Sequence, residues 1–124
     1  MPSYIGSGAF YENNIITKVI IPDSVTEIGD AAFQACESLE TVVIGNGVRE
    51  IGDAAFDNCD SLQSVYYNGT QAEKELKLTI DNSLDYNNDL INATWYYFNE
   101  NTNETASGNY WYYDNGEIKT FTVA

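Results

Sequence analysis

Two cysteines are the residues of this sequence best suited to covalent or metal chemistry. Cys36 and Cys59 stand 23 positions apart, in "QACESL" and "DNCDSL". They could form a disulfide or supply two thiolates to a metal. The alternative is that two free, buried thiols fill the same niche in successive structural units. We predict the second, because the residues around each cysteine repeat together with it.

Carboxylates are the other candidate reactive groups, with 19 Asp and Glu residues and no histidine. The lack of histidine excludes Ser-His-Asp and Cys-His catalysis and the common zinc sites. "DYNND" at 85–89 matches the start of a calcium loop, but Leu90 replaces the turn glycine and Tyr96 stands where the bidentate Glu belongs. The other acids fall mostly at turns, whereas acid–base catalysis needs a desolvated carboxyl. The sequence predicts no enzyme, metal site or cofactor.

The net charge of -14 limits what the protein can bind. Such a surface repels the phosphates of nucleic acids and anionic lipids, so neither is an expected partner. No apolar run approaches the roughly 20 residues that span a bilayer, and we predict no membrane insertion of this segment. With 44% hydrophobic residues the chain can still build a core.

A repeat of 23 residues organises the first half of the chain. The hexapeptide "IGDAAF" occurs at 28–33 and again at 51–56, and Phe10, Phe33 and Phe56 share one position. The other aligned sets are Ile5/Ile28/Ile51, Gly6/Gly29/Gly52, Ile16/Leu39/Leu62, Val19/Val42/Val65 and Ile21/Ile44/Tyr67. This period and its L-x-x-V-x-I pattern indicate a solenoid with one strand per coil. Stacking in register predicts a continuous core with a phenylalanine spine.

The segments between the predicted strands are expected to form short helical turns. Asp30 and Asp53 begin two of them and are the predicted N-caps, since an Asp side chain accepts hydrogen bonds from the first free amides of a helix. The predicted fold is therefore an α/β solenoid, a short right-handed array with a parallel sheet on one side and helical turns on the other.

These residues resemble the BspA-like leucine-rich repeat family, whose units read roughly "IGxxAFxxCxxLxxVxIPxxVxx". The resemblance is strong over residues 3–67, with Asn13 departing from it where the other units have cysteine. It implies a bacterial cell-surface or secreted protein used in binding or adhesion. The first unit starts at its own middle, so we expect the chain to be part of a longer exported protein.

Two regions are predicted. Residues 1–97 form the solenoid, ending in a longer closing repeat at 68–97. There Leu90, Ala93 and Trp95 are assigned to the L, V and I positions, and "QAEKEL" is the predicted helix. Residues 98–124 are predicted to form an aromatic-rich β-hairpin. This hairpin caps the last coil, offers a platform for sugar rings, or begins a following domain, and the sequence leaves these three alternatives open.

Asn115-Gly116 is the turn of that hairpin, because this dipeptide favours the tight turn that joins two antiparallel strands. The turn fixes the cross-strand pairs. They are Tyr113 with Ile118 and Trp111 with Thr120 on one face, and Tyr112 with Lys119 and Tyr110 with Phe121 on the other.

Strand alternation places one row of each repeat on the outer face of the sheet. The predicted binding residues there are Lys18, Ile20, Thr41, Val43, Ser64, Tyr66, Asn92 and Thr94. Ile20, Val43, Tyr66 and Thr94 form the central row, whose apolar members suggest an interaction surface on so acidic a protein. The partner would be a host or bacterial surface protein or a glycan, and the sequence leaves the oligomeric state open. Alternatively, these residues only favour strands or lie beneath the hairpin, and the segment is a structural spacer.

Overall fold

The computed structural model describes residues 3–124, in which each inner repeat forms one coil with two short strands. The elements are β1 (Ser3–Ile5), β2 (Lys18–Ile21), β3 (Val25–Ile28), β4 (Thr41–Ile44), β5 (Glu50–Ile51), β6 (Ser64–Tyr67), α1 (Gln71–Lys77), β7 (Thr79–Ile80), α2 (Asn88–Asn92), β8 (Thr94–Phe98), β9 (Gly108–Asp114) and β10 (Glu117–Val123). No helix in the described chain is long and apolar enough to cross a membrane.

The larger sheet has six strands in the order β10-β9-β8-β6-β4-β2. Strands β2, β4, β6 and β8 pair in parallel, and Val19, Val42 and Val65 lie side by side in adjacent strands. This register is the one that the 23-residue period predicts. The leucine-rich repeat solenoid with a parallel sheet, short helices and a C-terminal antiparallel hairpin is confirmed.

A second parallel sheet, β1-β3-β5-β7, was not predicted. Its strands have two to four residues and include Val25–Ile28 and Glu50–Ile51. Such short strands carry too little alternation to be read from sequence. Ile28 and Ile51 pair in register and point into the core, where both are buried.

The "GDAAF" segments are tight turns whose amides bond alternately to the next coil and to their own. The Ala31 amide donates to the Asp53 carbonyl at 2.9 Å, whereas the Ala32 amide donates to Gly29 at 3.2 Å. Ala31 has φ 56°, which an α-helix does not allow. The predicted helix caps are therefore wrong, and Asp30 Oδ1 accepts from the Asp53 amide of the next coil at 2.9 Å.

The closing coil departs from the predicted register. Trp95 pairs with Val65 and Tyr97 with Tyr67, so Trp95 takes the V position and Tyr97 the I position. Ala93 lies before the strand, which starts two residues later than expected because α2 occupies 88–92. Leu90 is buried in α2, and the predicted "QAEKEL" helix is confirmed as α1.

Asn87 completes the hydrogen bonding of this coil. It stands three residues before Leu90, as Cys59 does before Leu62, and it is fully buried. Its Oδ1 accepts from the Phe56 amide at 2.9 Å, and its Nδ2 donates to the Gly52 and Asp81 carbonyls. Its Oδ1 thus satisfies the Phe56 amide, whose counterpart in the preceding coil, the Phe33 amide, donates to the Ala55 carbonyl of the next "GDAAF" turn.

Candidate binding surface on the outer face of the sheet

The two cysteines are free and buried, as predicted. Cys36 Sγ donates to the Phe10 carbonyl and Cys59 Sγ to the Phe33 carbonyl, both at 3.2 Å. Burial raises the pKa of Cys59 to about 12, and burial also raises the pKa of Cys36. Since a thiolate is the reactive and metal-binding form, the thiols serve packing rather than chemistry.

The acidic residues form no metal centre in residues 3–124, where no group of three potential ligands converges. The "DYNND" segment contributes to packing instead, through the buried Asn87. Burial, and then Asp60 and Asp57, raise the pKa of the nearby Asp89 carboxyl. These charges lie near α2, since Asp89 belongs to that helix.

Two rows of side chains run across the outer face of the sheet. In register, Lys18, Thr41, Ser64 and Thr94 form the first row, and Ile20, Val43, Tyr66 and Tyr96 form the second. The predicted rows were therefore wrong at the closing coil. Thr94 belongs to the polar row, and Asn92 lies in α2 rather than in the sheet.

The apolar row is only partly open. Ile20 is 60% exposed, but Val43 is 4% exposed, which contradicts its predicted exposure. Val43 shares its surroundings with Trp111, which reaches back from the hairpin across the face of the sheet. Trp111 is itself 1% exposed, and its Nε1–H donates to the Tyr67 carbonyl at 2.8 Å. One of the predicted alternatives, a hairpin that folds over the row, thus holds for part of it.

The hairpin takes this position because β9 continues the sheet. Phe98 of β8 pairs with Trp111 of β9 in parallel register, so the two side chains share the outer face. The predicted pairs within the hairpin are all confirmed. Sequence reasoning missed that Trp111 and Tyr113 join the face, although the hairpin register already placed these two residues on one side.

Aromatic rings pack against each other over the outer face. Tyr66 stacks on Tyr96 with ring centroids 5.0 Å apart. Trp111 meets Tyr66, Phe98 and Tyr113 edge to face at 6.0, 5.1 and 5.0 Å. These contacts stabilise the sheet as cross-strand aromatic pairs do. They leave the edge of the cluster, at Tyr113, open to solvent with 52% exposure.

A groove of about 240 Å³ lies between that edge and the first coil. Ile20 and Val43 form one side, and Trp111 and Tyr113 form the other. The turn at Pro22–Asp23, together with Gly45 and Asn68, closes the groove at the carboxyl end of the strands. The arrangement can enclose an apolar side chain; it offers no nucleophile paired with a base.

A wider depression of about 500 Å³ lies at the far end of the stack, between α1, α2 and β8. Lys74 stands in it, with its Nζ 4.8 Å from the centre of the Trp95 ring. Trp95 Nε1–H donates to the Leu90 carbonyl at 2.9 Å. Lys74 and Trp95 therefore both have partners within the protein.

Comparisons with known proteins agree with this architecture. A model of the BspA type leucine-rich repeat region matches residues 3–123 in six copies. No curated protein matches the chain. Among solved structures, the chain is similar to a leucine-rich repeat protein from Bacteroides capillosus ATCC 29799, with 34% identity and a TM-score of 0.55. The match covers 68% of this chain and 56% of that one, so the chain spans little more than half the length of its structural neighbour.

Proposed function

Since this chain belongs to the BspA type leucine-rich repeat family, we propose that it is a non-catalytic binding module that recognises a protein or a glycan on its outer sheet face. The observation that carries the proposal is the exposed Ile20 beside an apolar groove on a protein of charge -14. Exposed apolar patches rimmed by polar residues often mark interaction sites.

The contact residues we propose are those predicted residues that share the face. They are Lys18, Ile20, Thr41, Ser64, Tyr66 and Thr94, with Val43 as the floor of the groove. The face combines hydroxyl groups, one ammonium and apolar side chains. Polar groups that fix orientation around an apolar centre are the composition expected of a recognition site.

We also propose an extracellular setting, in which the segment forms part of a longer secreted or cell-surface protein and serves adhesion. Repeats of this type are typical of bacterial surface proteins, which supports the setting. Free thiols do not argue against export here, because Cys36 and Cys59 are both buried.

The test is to probe arrays of glycans and of short peptides with the purified chain and with two variants. Ile20→Asp places a charge in the centre of the face and should abolish any specific signal. Leu76→Asp is the matched control, because Leu76 is 87% exposed on α1 and lies outside the face. Both variants should keep the thermal midpoint of the parent. A signal that survives Ile20→Asp unchanged would show that the ligand binds elsewhere.

A structural spacer is the second candidate function, and the burial of Val43 in the groove that Trp111 also lines favours it. A spacer needs a covered sheet rather than a free one. It would give no specific signal on either array, and Ile20→Asp would then change nothing.

A further inference from the structure

The groove between Ile20 and Tyr113 has the dimensions and lining of a socket for one apolar side chain. Its floor and inner wall, Val43 and Trp111, are already dry, with 4% and 1% exposure. Its two outer walls are open, since Ile20 is 60% and Tyr113 52% exposed. A side chain that enters would bury those walls, and the removal of apolar surface from water favours its binding.

The ring packing favours a protein segment over a sugar. A sugar ring binds an aromatic side chain by lying on its open face. Tyr66 presents one face to Tyr96, and Trp111 is buried. One face of Tyr66 and the whole of Trp111 are therefore covered, and Tyr113 is the exposed ring of the groove. An aliphatic or aromatic side chain is the better fit to the space between Ile20 and Tyr113.

The charge beside the groove favours a basic neighbour for that side chain. Asp23 lines the groove, and its Oδ1 accepts from the Asn46 amide and the Asn68 Nδ2, which are neutral donors. The ion pairs among the described residues join Glu73 to Lys77 and Glu117 to Lys119, so neither neutralises Asp23. The net charge of -14 adds a long-range attraction for cations and repels a second copy of the chain.

We propose that this groove binds an extended protein segment in which an apolar side chain is flanked by Lys or Arg. The apolar side chain lies between Ile20 and Tyr113, and a basic residue next to it faces Asp23. Lys18 stands two residues before Ile20, towards the amino end of β2, so the basic residue belongs on the opposite side, at the Pro22–Asp23 turn. This inference rests on the proposed binding function and names the chemistry of the partner.

The experiment measures the affinity of labelled eight-residue peptides by fluorescence anisotropy. One peptide alternates Lys and Leu, a second alternates Lys and Ser, and a third alternates Glu and Leu. We expect the Lys/Leu peptide to bind at least ten-fold tighter than the other two. Ile20→Ser or Tyr113→Ser should weaken it about ten-fold, and Asp23→Asn should weaken it and reduce its salt dependence.

The matched control is Ile15→Ser, because Ile15 is 88% exposed in the same coil but does not line the groove. It should leave the affinity for the Lys/Leu peptide unchanged. Equal binding of the Lys/Leu and Lys/Ser peptides would overturn the inference, because the attraction would then be electrostatic alone. Concentration-dependent self-association that Ile20→Ser abolishes would also overturn it and identify a second copy as the occupant.

The outcomes separate this inference from the proposed function. If a glycan or the Glu/Leu peptide binds and Ile20→Ser abolishes that binding, the face is a recognition surface and the basic partner is wrong. If neither the glycans nor any peptide binds to the face, the proposed function fails and the inference fails with it.

Discussion

The rings of Phe10 and Phe33 lie parallel, with centroids 5.1 Å apart and planes that differ by 4°. Phe33 stacks in turn on Phe56 at 5.2 Å. The three residues hold the same repeat position, yet Phe10 is 42% exposed whereas Phe33 is 1% exposed. A spine residue is buried from both sides only when a coil precedes it and another follows, so the energetic value of one position depends on its place in the stack.

Replacement of a spine phenylalanine by alanine should therefore lower the free energy of unfolding more in the middle of the stack than at its end. Phe33→Ala leaves a cavity between two rings and should lower the free energy of unfolding by about 3–5 kcal/mol. Phe10→Ala removes a ring already in contact with water and should cost less than half as much. Urea unfolding followed by circular dichroism measures both. Equal losses at the two positions would contradict the stacked arrangement.

The thiols should be protected in the native state. Thiol titration of the unreduced protein should find little reaction near neutral pH and two thiols after denaturation, because Cys36 and Cys59 are both buried. A chain that shows no thiols after denaturation would contain a disulfide and would contradict the structure.

Stability should fall in alkaline solution because of Cys59. Burial raises its pKa from 9.0 to about 12, so between these values the unfolded chain has lost a proton that the folded chain keeps. The Cys59 thiol therefore makes its full contribution to the free energy of unfolding below about pH 9, and this contribution declines as pH rises. Between pH 8 and 10, below the range where the tyrosines dominate, the parent should lose stability more steeply than Cys59→Ala, by up to about 1.4 kcal/mol per pH unit. If the free energy of unfolding depends on pH in the same way in the parent and in Cys59→Ala, the raised pKa of Cys59 is contradicted.

Asn87 should be the most sensitive polar residue of the closing coil. Asn87→Ala leaves the Phe56 amide and the Asp81 carbonyl without their partners in a buried site, whereas the Gly52 carbonyl keeps its bond from the Ala55 amide. Each unpaired buried group costs about 1–3 kcal/mol, although the two losses will not add fully. Asn92→Ala is the control, since Asn92 is exposed in α2 and should change stability by less than about 0.5 kcal/mol. A small effect of Asn87→Ala in thermal unfolding would show that water replaces the side chain.

The repeat made the inner coils predictable. The parts of the chain that depart from the repeat could not be predicted in the same way. Val19, Val42 and Val65 align because identical sites in a stack have identical neighbours, and a period in the sequence records that identity. The closing coil does not follow the 23-residue period, so the sequence does not specify its register in this way. The length of α2 decides that Trp95 rather than Ala93 meets Val65, and that length depends on packing around Leu90.

The hairpin shows why the candidate surface, too, could be predicted only in part from the sequence. Its internal register follows from Asn115-Gly116, a local signal, and both residues have the positive φ that this turn requires. Its docking is non-local. The bond from Trp111 to the Tyr67 carbonyl spans 44 residues. No pattern in the sequence specifies this bond or the parallel pairing of β9 with β8. The burial of Val43 could therefore not be predicted.

Trp111 should hold the hairpin to the solenoid. Its indole is the largest fully buried side chain, packs on Tyr66 and Phe98 and donates to the Tyr67 carbonyl. Trp111→Ala removes the packing and the hydrogen bond together, so β9 and β10 should lose protection while the inner coils, which bury their own core, stay folded. Hydrogen exchange measured by mass spectrometry would show fast exchange over 108–123 and unchanged exchange over 41–67.

Trp111→Phe keeps most of the apolar contact and leaves only the carbonyl unpaired, so it should cost about 1–3 kcal/mol without release of the hairpin. Cooperative unfolding of the whole chain by Trp111→Ala would contradict this view, because the hairpin would then belong to the same folding unit as the coils.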